Sequence, residues 1–355
     1  MQMLFIIPLL KTGNLYYIIV NILTDNGENT MQNEKTSVLV LAQCDLTMRE
    51  TLNTRFGTRC AFTFAENGEH PTAEQLRAAA VIFGEPSGAQ LAQTENLRLL
   101  QLTWAGADKY TRMENLPQSV VLANASGAFG TIIAEYAIGS LVALYRSFGR
   151  YWSNKQAHIW QKYDHAETIS GKTALVLGMG DIGANVARRL KVFGAAVLGV
   201  KRTAVSAVPE DFEEAHTLDA LDALLPRADI VIGCLPNTHE TAGLLTAERL
   251  HAMKAGAVLV NVGRGSLAGT DDLVSALQDG HLGGAALDVF ETEPLPADCP
   301  LWDMENVLLT PHIAGPSFGG SADVQNTIWH ICMDNLERYL TGKPLKNVVN
   351  RSEGY

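Results

Sequence analysis

The chain has no basic cluster. Its 27 Lys and Arg are outnumbered by 38 Asp and Glu, and the formal net charge is −11. Without a run of cations to follow a phosphate backbone, a nucleic-acid partner is disfavoured, although excess acid says little about fold. Cysteine is sparse too. Cys44, Cys60, Cys234, Cys299 and Cys332 are five in number, odd and without a C-x-x-C pair, which fits neither a disulfide framework nor a structural zinc site. They read as reduced thiols of a cytoplasmic protein that holds no metal. Two apolar stretches near the start, Met1 to Leu10 and Tyr16 to Leu23, are interrupted by Lys11 to Asn14; no basic segment precedes them and no small-residue cleavage site follows. Neither reaches membrane-spanning length. Met31 opens a polar stretch directly before the strand-like Ser37 to Leu41. Residues 1–36 are therefore expected to be an extension outside the folded unit, residues 1–30 being absent if the chain starts at Met31, with a signal anchor as the competing reading. Internal repeats and low-complexity stretches are missing as well.

What is present is enough chain, at 355 residues, for two cores of ordinary size. From Ser37 onward short β-branched runs alternate with helical patterns, the mark of βαβ units and an α/β fold with parallel sheets. Strands are expected at Ser37 to Leu41, Ala80 to Phe83, Leu99 to Trp104 and Val120 to Leu122, a small doubly wound domain. Ile132, Ile133, Tyr136, Ala137, Ile138, Leu141 and Val142 fall near helical spacing, which predicts a long, largely buried helix over Phe129 to Tyr145. Its outer face should be partly apolar and suited to a homodimer. Gly149 to Gly171 shows no period and leads to a second sheet, with strands at Thr173 to Leu177, Ala196 to Val200, Ile230 to Leu235, Ala257 to Val262, Ala285 to Val289 and Val307 to Leu309. That set matches a Rossmann dinucleotide-binding sheet, a doubly wound parallel sheet. A last helix, Ala322 to Leu340, and a polar tail without a strand partner should return to cover the first domain. The expected partition is 128–312 for the dinucleotide-binding domain, with 37–127 and 313–355 forming a flavodoxin-like substrate domain from both chain ends.

Gly178-Met179-Gly180-Asp181-Ile182-Gly183 follows a strand and opens the helix Ala184 to Val192, the context that a G-x-G-x-x-G pattern requires. The first glycine permits a tight turn, the second lets backbone approach a pyrophosphate, and the third allows close helix packing beside the helix N-terminus. A glycine-rich turn without ligand is the plainer alternative. The second strand ends in Val200-Lys201-Arg202-Thr203, where an acid would usually accept the ribose hydroxyls. Cations and a hydroxyl there suit a 2′-phosphate and predict NADP over NAD; an ordinary solvated strand end is the other reading. Arg264, Glu293 and His312 are isolated polar groups at strand ends or in short loops, so they could converge at the carboxyl edge of the sheet. Hydride transfer to a ketone needs a cation for the carboxylate, a proton donor for the developing alkoxide, and an anion to keep that donor charged. Taken singly, each residue could equally be a surface arginine, a capping acid or a loop histidine.

Those residues, in order, carry a resemblance. From Ser37 to Tyr355 the chain resembles the D-isomer-specific 2-hydroxyacid dehydrogenase family through Ala105-Gly106-Ala107-Asp108, Ile133-Ala134-Glu135-Tyr136, Gly178 to Gly183, Leu235-Pro236, Asn261 to Gly265, Leu287-Asp288-Val289-Phe290, Glu293-Pro294 and Pro311-His312. The resemblance implies that Arg264 anchors a small 2-keto acid, that His312 is the proton donor or acceptor, and that Glu293 pairs with it. It implies that backbone N–H groups around Ala105, Gly106 and Ala107 hold the substrate carboxylate and that Asp288 and Gly315 lie beside the nicotinamide end. Leu235, Pro236, Thr241, Val262 and Gly263 should line the cofactor groove, with Arg264 and His312 also against the cofactor. Trp104 would floor the pocket or pack between domains. Related formate dehydrogenases carry Gln where Glu293 stands, and long phosphoglycerate dehydrogenases append a regulatory domain for which this chain is too short. Reduction of glyoxylate or hydroxypyruvate fits by resemblance. A dinucleotide-sensing, corepressor-like binding protein is the competing class.

Overall fold

Short apolar strands alternating with helices build two parallel sheets in this chain, as the periodicity demands. The computed structural model describes residues 35–65, 70–163 and 166–355, together with the backbone of two strands before them. Those strands, β1 (Met3–Lys11) and β2 (Asn14–Ile22), pair antiparallel. They belong to a unit, Met1–Lys35, distinct from Thr36–Tyr355. The expected start at Met31 lies outside the described residues.

The first sheet holds β3 (Thr36–Val40), β4 (Cys60–Phe64), β5 (Val81–Phe83), β6 (Leu99–Gln101) and β7 (Val121–Ala123). All pair in parallel, in the order β4-β3-β5-β6-β7. β4, the apolar Cys60-Ala61-Phe62-Thr63-Phe64, is absent from the sequence reading; it is an edge strand in which only Cys60 is buried. The helix Ala322–Leu340 packs on this sheet. Trp329 meets Phe83 edge-on at 6.3 Å, and the buried Asn335 donates to Gln101 Oε1 at 2.6 Å. The tail beyond it does find a partner strand, contrary to expectation: Val348 bridges antiparallel to Ala123, and the Val349 N–H donates to the Leu122 carbonyl at 2.8 Å.

The second sheet is seven-stranded and parallel. Its members are β8 (Thr173–Leu177), β9 (Ala196–Lys201), β10 (Glu214–Thr217), β11 (Ile230–Gly233), β12 (Val258–Asn261), β13 (Gly284–Leu287) and β14 (Val307–Leu309). The order is β10-β9-β8-β11-β12-β13-β14. The strand missed in the sequence is β10, a polar, half-buried edge. The central strands β11, β12 and β13 are buried throughout, which explains their unbroken apolar runs. Chain order reverses between β8 and β11, and at such a switch point a crevice opens outside the carboxyl ends of the strands.

The helix Gly130–Tyr145 buries Ile133, Ala134, Ala137, Ile138 and Leu141 against the second sheet. Its exposed residues are Thr131, Glu135 and Gly139, while Ile132, Tyr136, Val142 and Leu144 are half-buried. Exposed apolar surface follows immediately, on Phe148, Tyr151, Trp152, Ile159 and Trp160. The first three lie on a helix, Phe148–Gln156, inside the stretch that shows no period. Among the described residues no helix is long and apolar enough to cross a membrane.

Candidate active site

β8 delivers the chain into the glycine turn at the switch point. Gly178 has φ +107°, which L side chains rarely adopt, and a Cβ there would stand 2.9 Å from the Cys234 carbonyl oxygen. At Gly183 a Cβ would fall 1.7 Å from the Gly178 carbonyl oxygen, so only glycine lets the helix Asp181–Val192 sit against the strand turn. At Gly180 a Cβ would meet nothing within 4 Å. The backbone there borders an open groove at a helix N-terminus, the place where N–H groups and the helix dipole suit a diphosphate. We expect Gly183→Ala to destabilise the fold by about 1–3 kcal/mol and to abolish stabilisation by dinucleotide. Thermal unfolding with and without NADPH measures both, and a normal melting temperature with a normal ligand shift would contradict the packing argument.

That groove, about 460 Å³, is lined by Gly178, Gly180, Asp181, Ile182, Gly183, Lys201, Arg202, Thr203, Leu235, Pro236, Thr241, Val262, Gly263 and Arg264. Two of these turn their polar groups elsewhere. The Asp181 carboxylate accepts from the Gly130 N–H and from Asn185 Nδ2, tying two helices together, and burial holds its pKa above the usual carboxylate range. The Thr241 hydroxyl donates to the Pro236 carbonyl and so shapes the loop. Cys234 lies half-buried in the same wall, and desolvation pushes its thiol up to about 12. Arg202 is already engaged: its guanidinium pairs with Glu353 at 2.6 Å and lies 5.3 Å over the Tyr355 ring.

A second cavity, about 650 Å³, adjoins the groove, sharing Ala105, Gly106, Asp108 and Arg264 with it. It gathers Asp288, Glu293, His312 and Gly315 around Trp104 and Arg264. Residues far apart in sequence thus meet where the two cavities join. Ala107 faces the groove and not this cavity. Trp104 is 44 % exposed and lines the cavity.

Arg264 follows β12, and Asn261 sets its loop by donating to the Arg264 carbonyl at 2.9 Å and accepting from the Gly263 N–H at 3.2 Å. Its guanidinium donates to the Gly263 carbonyl at 2.8 Å and, through Nε and Nη2, to Asp108 Oδ1 at 3.1 and 2.9 Å. The pair is only partly buried, so an incoming carboxylate can add to or exchange with Asp108 at modest cost. His312 follows β14 with φ +57°, a conformation a non-glycine residue keeps only when its surroundings hold it. They do. Its N–H donates to the Asp288 carbonyl at 2.8 Å, while the buried Asp288 carboxylate accepts from Thr310 Oγ1, the Ile313 N–H and the Ala314 N–H at 2.6, 2.8 and 2.9 Å. Glu293 Oε2 stands 2.9 Å from His312 Nδ1, and Glu293 Oε1 accepts from the Phe290 N–H at 2.9 Å. Nε2 is the ring nitrogen left for other chemistry. A carboxylate–imidazole pair of this kind can pass one proton to a nearby oxygen anion.

Some site residues carry no label in the sequence. Glu85, just past β5, accepts from the Thr103 N–H at 2.7 Å and also from the Trp104 N–H, which fixes the turn before Ala105 and Gly106. Burial raises its pKa, against those hydrogen bonds. Its signal was a lone carboxylate at a strand end. Asp108 lay inside a matched motif without a role, and Glu353 and Tyr355 lie in a tail with no pattern.

The two sheets, the glycine turn at the switch point and the polar cluster beside it define a dinucleotide-binding α/β oxidoreductase. Comparison with known proteins makes this specific. Residues 138–314 match the model of the D-isomer specific 2-hydroxyacid dehydrogenase NAD binding domain. The chain is 32% identical over 264 residues to glyoxylate reductase of Thermofilum pendens, covering 72% of this chain and 76% of that one. It is 28% identical over 321 residues to glyoxylate/hydroxypyruvate reductase A of Arabidopsis thaliana, covering 88% and 99%. A solved D-isomer specific 2-hydroxyacid dehydrogenase family protein from Aeromonas salmonicida is similar with a TM-score of 0.79 at 34% identity, covering 89% of this chain and 99% of that one. The chain belongs to the D-isomer specific 2-hydroxyacid dehydrogenase family, and it is a 2-hydroxyacid oxidoreductase that uses a nicotinamide dinucleotide.

Proposed function

We propose that the protein reduces small 2-keto acids of the glyoxylate or hydroxypyruvate type to D-2-hydroxy acids, with NADPH preferred. The observation that carries this reading is the meeting of Arg264 and the His312–Glu293 pair in one cavity beside the dinucleotide groove. In this reading Arg264 binds the substrate carboxylate with help from the backbone N–H groups of Ala105 and Gly106. The dihydronicotinamide supplies the hydride when bound. His312 gives the proton on Nε2 to the carbonyl oxygen as charge develops there, and Glu293 orients the ring through Nδ1. Asp288 acts through the loop, by holding His312 in place. The groove-forming residues 128–312 serve as the dinucleotide-binding domain, and 37–127 with 313–355 as the substrate domain. Support for the substrate class comes from relatives named glyoxylate reductase and glyoxylate/hydroxypyruvate reductase. A panel of 2-keto acids tested with NADPH and NADH should show turnover of glyoxylate or hydroxypyruvate; no turnover of any member would remove the proposal.

NADPH preference rests on Lys201, Arg202 and Thr203 at the end of β9, and two similar solved structures are complexes with NADPH or NADP. Solvent screens the site, so a preference of about 1–3 kcal/mol is expected, shrinking with salt. Arg202→Ala should raise KM for NADPH much more than for NADH. Equal kcat/KM for the two cofactors at low ionic strength would sink the preference. A cytoplasmic homodimer completes the reading. The exposed Trp152 and Trp160, with Phe148, Tyr151 and Ile159, offer an apolar face for a second copy. Light scattering should give twice the chain mass, and Trp152→Glu with Trp160→Glu should halve it; a monomeric unmodified protein removes the claim.

A further inference from the structure

The guanidinium read above as the seat of the 2′-phosphate already holds an anion and an aromatic ring. Arg202 pairs with Glu353 Oε2 at 2.6 Å and lies 5.3 Å over the Tyr355 ring; Glu240 faces the same cation from the loop after β11. A carboxylate at the edge of a guanidinium and a flat ring against its face are the two features that an adenosine 2′-phosphate would present.

The segment bearing them is held in place from both sides. Arg351 donates to the carbonyls of Leu116, Pro117 and Val120, and the Asn350 N–H closes the turn on the Tyr355 carbonyl at 3.0 Å. Gly354 packs beside Asn237 and Thr238, where a Cβ would be 3.6 Å from the Asn237 carbonyl oxygen. Residues 348–355 thus run from the edge of the first sheet, at Ala123, to the adenosine end of the groove, which Gly354 and Tyr355 line.

We propose that Glu353, with Tyr355, is a cofactor-specificity residue: an internal stand-in for the adenosine 2′-phosphate that NADPH must displace from Arg202 and NADH need not. The inference rests on the reading of Arg202 as the 2′-phosphate seat. A phosphate dianion outcompetes one carboxylate at this cation, so Glu353 moderates the preference for NADPH without reversing it. The exchange involves no bond making or breaking, only the trade of one charge-assisted contact for another. NADH leaves Glu353 on Arg202, so its affinity is indifferent to the carboxylate.

Glu353→Gln keeps size and removes charge at an exposed position. Titration calorimetry of the full chain with 2′,5′-ADP and with ADP reads the effect. Binding of 2′,5′-ADP is expected to tighten roughly 2- to 5-fold, the range an exposed ion pair allows, with ADP unchanged. KM for NADPH should fall in parallel while KM for NADH stays. If 2′,5′-ADP binding is unchanged or weaker in Glu353→Gln while Arg202→Ala still weakens it, the stand-in is refuted and the reading of Arg202 survives. Equal tightening for both nucleotides would mean that the segment only shields the groove, which also refutes it. Should Arg202→Ala leave 2′,5′-ADP binding unaltered, the seat itself is wrong and the inference falls with it.

Discussion

Replacing His312 with Ala is expected to lower kcat by roughly 100-fold or more, the usual worth of a positioned general acid, while the dissociation constant for dinucleotide barely moves. The expectation follows from separation. His312 lies in the cavity with Glu293 and Trp104, and its ring does not line the groove of Gly178 to Gly183. Because the residue sits at φ +57°, a β-branched replacement would add backbone strain to the chemical loss. Asn tolerates the left-handed region better than most residues, so His312→Asn is the control that isolates the proton donor. Both variants should show the same loss of kcat, with dinucleotide affinity read by fluorescence titration. Near-normal kcat in either would reassign the histidine to structure.

Gly106→Ala is expected to disable substrate recognition without unfolding the protein. A Cβ at Gly106 would stand 1.6 Å from Arg264 Nη2. Nη2 is the far end of a flexible side chain, so the backbone can stay while the guanidinium is driven off its place. The variant should therefore copy Arg264→Ala: kcat/KM for the keto acid falls by about 100-fold in each, as loss of an oriented charge-assisted contact implies. The double variant should be no worse than either single one, since both remove the same interaction. Additive losses, or a melting temperature that drops with Gly106→Ala alone, would show that the glycine serves the fold and not Arg264.

Much of this was legible in the sequence because the buried part of the fold writes itself in long apolar runs. The central strands β8, β11, β12 and β13 carry such runs, the glycine turn is marked by its spacing, and the helix Ala322–Leu340 by apolar residues at helical intervals. The edges are less plain. β10 is polar and half-exposed, with too few apolar positions to stand out from a loop, and β4 is a short, half-exposed edge that the reading passed over despite its apolar residues. Arg264, Glu293 and His312 were visible as lone polar groups after strands, but Asp108 on Arg264 joins residues 156 positions apart. No local pattern can encode that contact. The same holds for Glu85 under the Thr103 turn and for Glu353 on Arg202, and the exposed face at Phe148 to Trp160 was hidden in a stretch with no period to read.

The helix Ala322–Leu340 covers a sheet whose strands, from Thr36 to Ala123, lie far earlier in the chain. On the ribosome, the seven-stranded sheet from β8 to β14 is complete before that helix emerges, whereas Phe83 and Gln101 of the first sheet wait for Trp329 and Asn335. Contacts of such high sequence separation close late and slowly. The first-made half of the protein is consequently the last to finish folding, and its uncovered face is the surface a chaperone would meet during synthesis.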